Sequence, residues 1–377
     1  MNWQRSRSSP RTWPRAAIPW SEPGGFFPVL RTTAVVVALL LGVAGCQVRR
    51  EPAPVGVGLL RVTEVARATD RAALSPVAWS PDGQRFAYGS RDGVWVHGVG
   101  DRSGARIAPG QAVTAVAWSA DADVLAYIDR GELYTVRPDG RERRHLPLRG
   151  VASHPLWAPS GDRLAVVVRT SGPGSSGTRL WLASPGGATL RQIQWDTRGR
   201  HIGSLGWYPG ALYLFVGLAS AGGDVIAEWW RVRIAYPDFR RLPGPQQRVV
   251  EAVPSPGGDW VAYIAEESGG ERAYVIRQDG SGRRPVSSPA RRISGLAWAP
   301  RGDKIAYGVF AGEAHAEVYA ASAVGSARLL VAVYRPEFPD PSAALALAWS
   351  PDEARLAYGT NTGALVGPVW MARFAPR

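Results

Sequence analysis

The chain has 377 residues, 45% of them hydrophobic, and a formal net charge of +13. Its single cysteine, Cys46, excludes an intramolecular disulfide framework and a multi-cysteine metal site, and its apolar content excludes a disordered tail. All but one of the 44 basic residues are arginine, Lys304 being the exception. That bias in composition weakens the net charge as a sign of nucleic-acid binding, and no nucleic-acid partner is expected.

The first 31 residues carry Arg5, Arg7, Arg11, Arg15 and Arg31 against one acid, Glu22, and an apolar run of 11 residues, Ala34–Ala44, follows. A bilayer of ~30 Å needs about 20 helical residues, so the run is too short to span but suits the apolar middle of a secretory signal peptide. The ending Val43-Ala44-Gly45-Cys46 resembles the lipobox of bacterial lipoproteins. The resemblance implies that the Cys46 thiol receives a diacylglyceryl group and that cleavage falls just before it. The basic stretch ahead of the apolar run is long for this class. Residues 1–45 are therefore read as a lipoprotein signal peptide and 46–57, rich in Pro, Val and Gly, as a lipid-anchored tether. The expected location is outside the cytoplasmic membrane, at its outer face or in an outer membrane.

From residue 58 onward the sequence repeats. Val77-Ala-Trp-Ser-Pro-Asp-Gly-Gln-Arg-Phe-Ala-Tyr88 returns as Val116–Tyr127, Pro155–Val166, Leu205–Leu214, Ala252–Tyr263, Leu296–Tyr307 and Leu347–Tyr358. The aligned positions Trp79, Trp118, Trp157, Trp207, Pro254, Trp298 and Trp349 are 39, 39, 50, 47, 44 and 51 residues apart. Short strands at that period point to propeller blades. In each unit an apolar strand ends in Trp. Ser-Pro-Asp-Gly then makes a tight turn, in which Pro fixes φ, Asp82 or Asp352 accepts backbone N–H groups, and Gly tolerates positive φ. A second strand ends in Ala-Tyr, a third is alternating or aromatic (Val94–His97, Glu132–Val136, Tyr274–Ile276), and a second turn leads to a fourth. The last unit runs out at its third strand, Pro368–Phe374, and Gly58–Ala66 supplies the missing fourth. The fold class is thus all-β: a seven-bladed propeller over 58–377, six-bladed if the Trp-less fifth unit fails, closed by pairing N- and C-terminal strands so that no sheet edge stays open at the junction.

The repeat resembles that of TolB-like and WD-related propellers, over about residues 58–377. The resemblance implies a rigid scaffold that binds other envelope proteins. TolB itself has an α/β domain before a six-bladed propeller, and about a dozen residues separate Cys46 from the first strand here, so TolB's particular partners do not carry over.

Catalytic signatures were sought in turn. The sequence holds no Gly-x-Ser-x-Gly elbow, phosphate-binding Gly-rich loop or His-Glu-x-x-His motif. His97, His145, His154, His201 and His315 fall in different units at no metal-ligand spacing, so no metal or cofactor is expected. The recurring Asp82 and Asp352 and the Trp series recur once per blade and are read as structural. Function is expected where the blades differ. Residues just before each Trp motif ring the channel mouth: Ser75, Thr114, Ser153, His154, Ser204, Glu251 and Ser294. Loops Arg169–Arg179 and Leu218–Glu228 join them on that face. A second basic cluster, Arg137, Arg141, Arg143, Arg144 and Arg149 with Arg283 and Arg284, is set on the opposite face, as solvated turns or as a contact with anionic lipid. The expected activity is non-catalytic binding of an envelope protein, a peptide or a glycan, with the membrane engaged through lipid on Cys46. The alternative is an enzyme acting on glycan or peptide at the channel face.

Overall fold

A computed structural model describes residues 57–170, 177–220, 225–236, 238–311, 315–335, 344–361 and 367–376. All belong to the second of two compact units, Ala53–Arg377. The signal peptide, Cys46 and the tether up to residue 56 lie outside the described residues, as do 171–176 and 221–224 within the two long loops. Among the described residues no helix is long and apolar enough to cross a membrane.

The chain folds as seven antiparallel four-stranded blades. A 13-residue strand, β1 (Leu60–Ala72), precedes blade 1, which is β2 (Ala78–Trp79), β3 (Arg85–Gly89), β4 (Gly93–Gly98) and β5 (Ala105–Pro109). Blade 2 is β6 (Val113–Trp118), β7 (Leu125–Asp129), β8 (Glu132–Val136) and β9 (Arg144–Leu146). Blade 3 is β10 (Val151–Trp157), β11 (Leu164–Thr170), β12 (Gly177–Ala183) and β13 (Leu190–Gln192). Blade 4 is β14 (His201–Trp207), β15 (Tyr213–Ala219), β16 (Ile226–Arg233) and β17 (Phe239–Leu242). Blade 5, whose first strand ends in Pro254 instead of Trp, has its four strands like the rest: β18 (Val249–Pro254), β19 (Trp260–Glu267), β20 (Gly270–Arg277) and β21 (Arg284–Pro285). Blade 6 is β22 (Ile293–Trp298), β23 (Lys304–Phe310), β24 (Ala316–Ser322) and β25 (Arg328–Tyr334). Blade 7 is β26 (Ala344–Trp349), β27 (Arg355–Asn361) and β28 (Pro368–Pro376), completed by β1 as its outer strand. The β1–β28 register runs from Leu60↔Pro376 to Ala72↔Pro368, so the closing strand ends six residues beyond the Ala66 that the sequence pattern suggested. First strands neighbour one another from β2 through β26 and back to β2, which closes the ring.

The Ser-Pro-Asp-Gly turn reverses the chain through its side chains. Ser80 Oγ donates to Asp82 Oδ1 (2.5 Å) and accepts from Arg85 N (2.9 Å), and Asp82 Oδ1 accepts from Gln84 N (3.0 Å). Those bonds hold the Asp82 carboxyl below its ordinary value. Gly83 takes φ +66°, the left-handed conformation the turn requires. Ser350 and Asp352 repeat the arrangement, with Glu353 rather than Gly at φ +58°. The second strands are buried along most of their length, since each blade is covered on both faces by its neighbours. Opposite the second residue of the Ala-Tyr pair, which is Val166 in blade 3 and Val216 in blade 4, every third strand presents an aromatic: Trp95, Tyr134, Trp181, Trp230, Tyr274, Tyr319 and Trp370. The hydrophobic core is divided accordingly into seven clusters, one between each pair of adjacent blades.

Candidate functional site

Each first strand starts at the same face of the ring, and five of the seven carry a β-bulge near that start. The irregularities fall at Val113/Ala115, Ser153/Leu156, Ile202/Ser204, Val249/Glu251 and Ser294/Ala297. A bulge inserts an unpaired residue and turns the chain locally. Thr114, His154, Gly203 and Val250 are the inserted residues in the first four strands, and all four are exposed. His154 sits at φ +52° and Gly295 at φ +73°. Gly295 has no substitute, because a Cβ there would lie 2.1 Å from Leu345 O.

This geometry sorts the residues singled out from sequence. Thr114 and His154 reach solvent at the mouth, and Ser153 and Glu251 are partly buried beside them. Ser75, Ser204 and Ser294 are buried, at 5, 8 and 8% exposure, and do not line a rim. Ser75 Oγ accepts from Gly89 N (2.8 Å) and Ser294 Oγ accepts from Leu345 N of the next blade (3.0 Å), so both hold backbone. The bulge displaces the facing residue by one, so that Gly203 and Val250 turn outward instead of Ser204 and Glu251. A glycine inside an otherwise apolar strand was the available signal.

The two titratable mouth residues have opposite circumstances. His154 Nδ1 lies 3.1 Å from Ser153 Oγ, and the surrounding protein holds the imidazole below its ordinary value, hence neutral. The Glu251 carboxylate accepts from Leu296 N at Oε1 (2.8 Å) and Gly295 N at Oε2 (3.0 Å). Burial, reinforced by the charge of Glu271, pushes its carboxyl up despite those bonds. With both oxygens committed to the backbone of blade 6, Glu251 is a seam staple before it is a base.

The basic cluster on the opposite face is largely engaged with protein. Arg143 Nε donates to Tyr127 Oη (2.6 Å), and its guanidinium lies 4.4 Å over the Tyr134 ring. Arg283 repeats this on Tyr263 (2.7 Å) and Tyr274 (3.9 Å). Arg144 reaches Gly186 O of blade 3, and Arg284 reaches Ala323 O of blade 6. Arg141 is the free-standing one, its side chain 84% exposed beside Asp139.

The histidines are dispersed as their spacing implied. His97 is buried between Tyr88 Oη (3.2 Å) and Asp101 O (2.9 Å). His145 Nε2 lies 2.9 Å from Glu132 Oε2 on the outer half of blade 2. Among the described residues no three His, Cys, Asp or Glu side chains are grouped to hold a metal ion.

No protein-family model matches the sequence, and no curated protein matches it. Solved structures do. An oligogalacturonate lyase in complex with manganese is similar at 14% identity, with 83% of this chain and 93% of that chain covered and a TM-score of 0.64. The β-propeller domain of Myceliophteria thermophila Cps50 (Swd1) is similar at 13% identity over 83% of this chain and 99% of that chain, TM-score 0.58. TolB from Acinetobacter baumannii is aligned at 13% identity over 70% of this chain and 64% of that chain, TM-score 0.49. At these identities the likeness concerns the fold alone: a β-propeller, as the repeat implied.

Proposed function

We propose that this chain is a non-catalytic binding scaffold of the bacterial envelope, anchored through lipid on Cys46, whose bulged mouth receives a protein or peptide partner. The observation that carries the reading is the row of inserted residues on successive first strands, Thr114, His154, Gly203 and Val250, exposed on a ring of paired strands. A neutral imidazole, a hydroxyl and an apolar side chain on a rigid frame suit recognition. They do not form a catalytic set: Glu251 is occupied by backbone, and His154 Nδ1 faces the hydroxyl of Ser153. The lipobox supports the location, and a peptide beginning at a diacylglyceryl-modified Cys46 in the membrane fraction is its test. For the mouth, a photocrosslinker at Val250 should capture a defined partner in the native host, whereas the same group at Val65 on the outer strand should not. Equal capture at both positions overturns the mouth as the site.

A catalytic reading has one place to stand, and it is not the channel. The His145–Glu132 pair adjoins a cleft of ≈ 510 Å³ lined by Asp129, Arg130, Tyr134 and Arg143, an acid–base pair beside guanidinium groups. The structural likeness to an oligogalacturonate lyase makes an acidic glycan the substrate to try. Turnover of polygalacturonate by the purified chain, abolished in His145→Ala, would replace the scaffold reading.

A further inference from the structure

On the face opposite the mouth, where β27 starts and β28 ends, a cleft of ≈ 180 Å³ opens between blade 7 and blade 1. Four arginines line it, Arg67, Arg102, Arg355 and Arg373, against one acid, Glu64. They are held to different degrees. Arg67 Nε donates to Thr69 O (2.9 Å) and its Nη2 to Asp70 O (3.2 Å). Arg355, its side chain only 14% exposed, is oriented by Asp352 at 3.2 Å. Arg373 meets Glu64 at 3.7 Å with both side chains more than half exposed, a solvent-screened pair that an incoming carboxylate readily exchanges. Arg102 makes no hydrogen bond or ion pair among the described residues. The cleft thus holds more guanidinium than carboxylate, partly desolvated and partly pre-oriented, which is the setting in which an incoming carboxylate is bound in bidentate fashion.

Its floor is apolar. Phe86 is 1% exposed and Met371 lies partly buried beside it. The polar side-chain atoms in the lining belong to guanidinium groups and to Glu64, with no hydroxyl or amide side chain for a sugar's hydroxyls. The volume is below the ~300–1,000 Å³ of sites for drug-sized ligands, enough for one residue and not for an oligomer. Gly100, at φ +90°, leaves one side open, since a Cβ there would meet nothing within 4 Å.

We infer that this seam is a binding site for the free C-terminus of a peptide whose last residue is apolar: the carboxylate meets Arg102 and Arg373, displacing Glu64, and the terminal side chain rests on Phe86 and Met371. Because the cleft spans the closing strand β1, the last strand β28 and blade 1, an occupant also ties the ring shut. A ligand that binds the folded chain and not the unfolded one raises its melting temperature.

The site lies on the other face from the channel mouth and is tested on the chain alone, so its outcome is independent of the scaffold reading. The probes are the tripeptide acetyl-Gly-Gly-Leu with a free carboxylate and the same peptide as its C-terminal amide, titrated into the full chain by calorimetry. The acid should bind at least about tenfold more tightly than the amide, more weakly as salt rises, and should raise the melting temperature. The double variant Arg102→Glu, Arg373→Gln, altering two exposed side chains, should lose about tenfold or more in affinity while its melting temperature without peptide stays as in the parent. Equal affinity for acid and amide, no binding of either, or tighter binding of galacturonate or inorganic phosphate than of the peptide acid overturns the proposal.

Discussion

Trp157 and Trp349 hold the same place in their repeats, yet only one finds a partner for its indole. Trp157 Nε1 donates across the seam to Ala117 O of blade 2 (3.1 Å). Trp79, Trp207 and Trp298 do the same to Ala348 O, Leu156 O and Val253 O, at 3.1, 3.0 and 2.9 Å. Trp349 Nε1 is buried with no partner. At that seam the crossing is ionic instead. Lys304, the only lysine and 2% exposed, donates from blade 6 to Glu353 Oε2 of blade 7 (2.6 Å) and to Asp303 (2.7 Å). Glu353 Oε1 also accepts from Arg301 N (2.7 Å). Between blades 4 and 5, where Pro254 replaces Trp, the proline packs against Gly206 so closely that a Cβ would lie 2.2 Å from it, and the Ile226↔Val249 pair joins the two sheets. Trp118 Nε1 turns back to Ala122 O of its own blade (3.2 Å), and the Arg85 guanidinium of blade 1 lies 5.1 Å over its ring, so where the indole bridge is lost another link crosses.

If the blade 6–7 seam depends on its ion pair, Lys304→Met should be the most damaging of the seam substitutions. It leaves Glu353 and Asp303 without their cation, and breaking a buried pair by removing one partner typically costs about 3–5 kcal/mol. The double variant Lys304→Met, Glu353→Leu should recover much of that loss in urea unfolding, because an apolar pair of similar volume is often neutral or better than the ion pair it replaces. A single variant as stable as the parent would show that the seam is held by packing alone.

The indole bridge is the next largest effect. Trp157→Phe leaves Ala117 O without its donor, a penalty of about 1–3 kcal/mol beyond the smaller ring. Trp349→Phe removes a buried donor that has no acceptor, and the new ring keeps its place near Phe374, now at 5.2 Å from the indole. The first variant should therefore melt lower than the second. Equal losses would mean that the indoles act by volume and that their hydrogen bonds hold nothing.

These contrasts also mark what could be read from the chain. The blades were legible because Ser80, Asp82, Gly83 and Arg85 form one local turn whose side-chain bonds span at most five residues, so its chemistry is written contiguously and repeated. The closing strand was legible because the seventh unit stops one strand short. The rim was legible only in part: Thr114 and His154 are exposed, but Ser75, Ser204 and Ser294 are buried, and the one-residue bulges turn Gly203 and Val250 outward instead of Ser204 and Glu251. The seam ion pair was hidden for another reason: Lys304 and Glu353 are 49 residues apart, and Glu353 occupies a position where glycine is expected. Arg143 and Arg283 looked like surface charge because their tyrosine partners lie 16 and 20 residues away.

The smallest predicted effect concerns the blade 5–6 seam, which is fastened by carboxylates as well as by Trp298. Glu251 accepts from Gly295 N and Leu296 N, and Glu271 Oε2 accepts from Ile293 N (2.6 Å), so two acids of blade 5 hold the start of β22. Burial raises both carboxyls above the ordinary glutamate value. An acid with a raised folded value binds its proton more tightly in the folded chain than in the unfolded one. Its contribution to stability is therefore full below the ordinary glutamate range and is lost as pH rises through the raised value. Glu251→Gln removes that titration. The stability of the parent minus that of the variant should be greatest near pH 4 and shrink toward pH 8, by about 1.4 kcal/mol for each unit by which the folded value is raised. Unfolding both proteins across that range isolates Glu251 from the depressed aspartates of the turns, which weaken the fold in acid equally in each. A difference that grows with pH instead would mean that the two backbone N–H groups outweigh burial, and that Glu251 holds β22 as an anion.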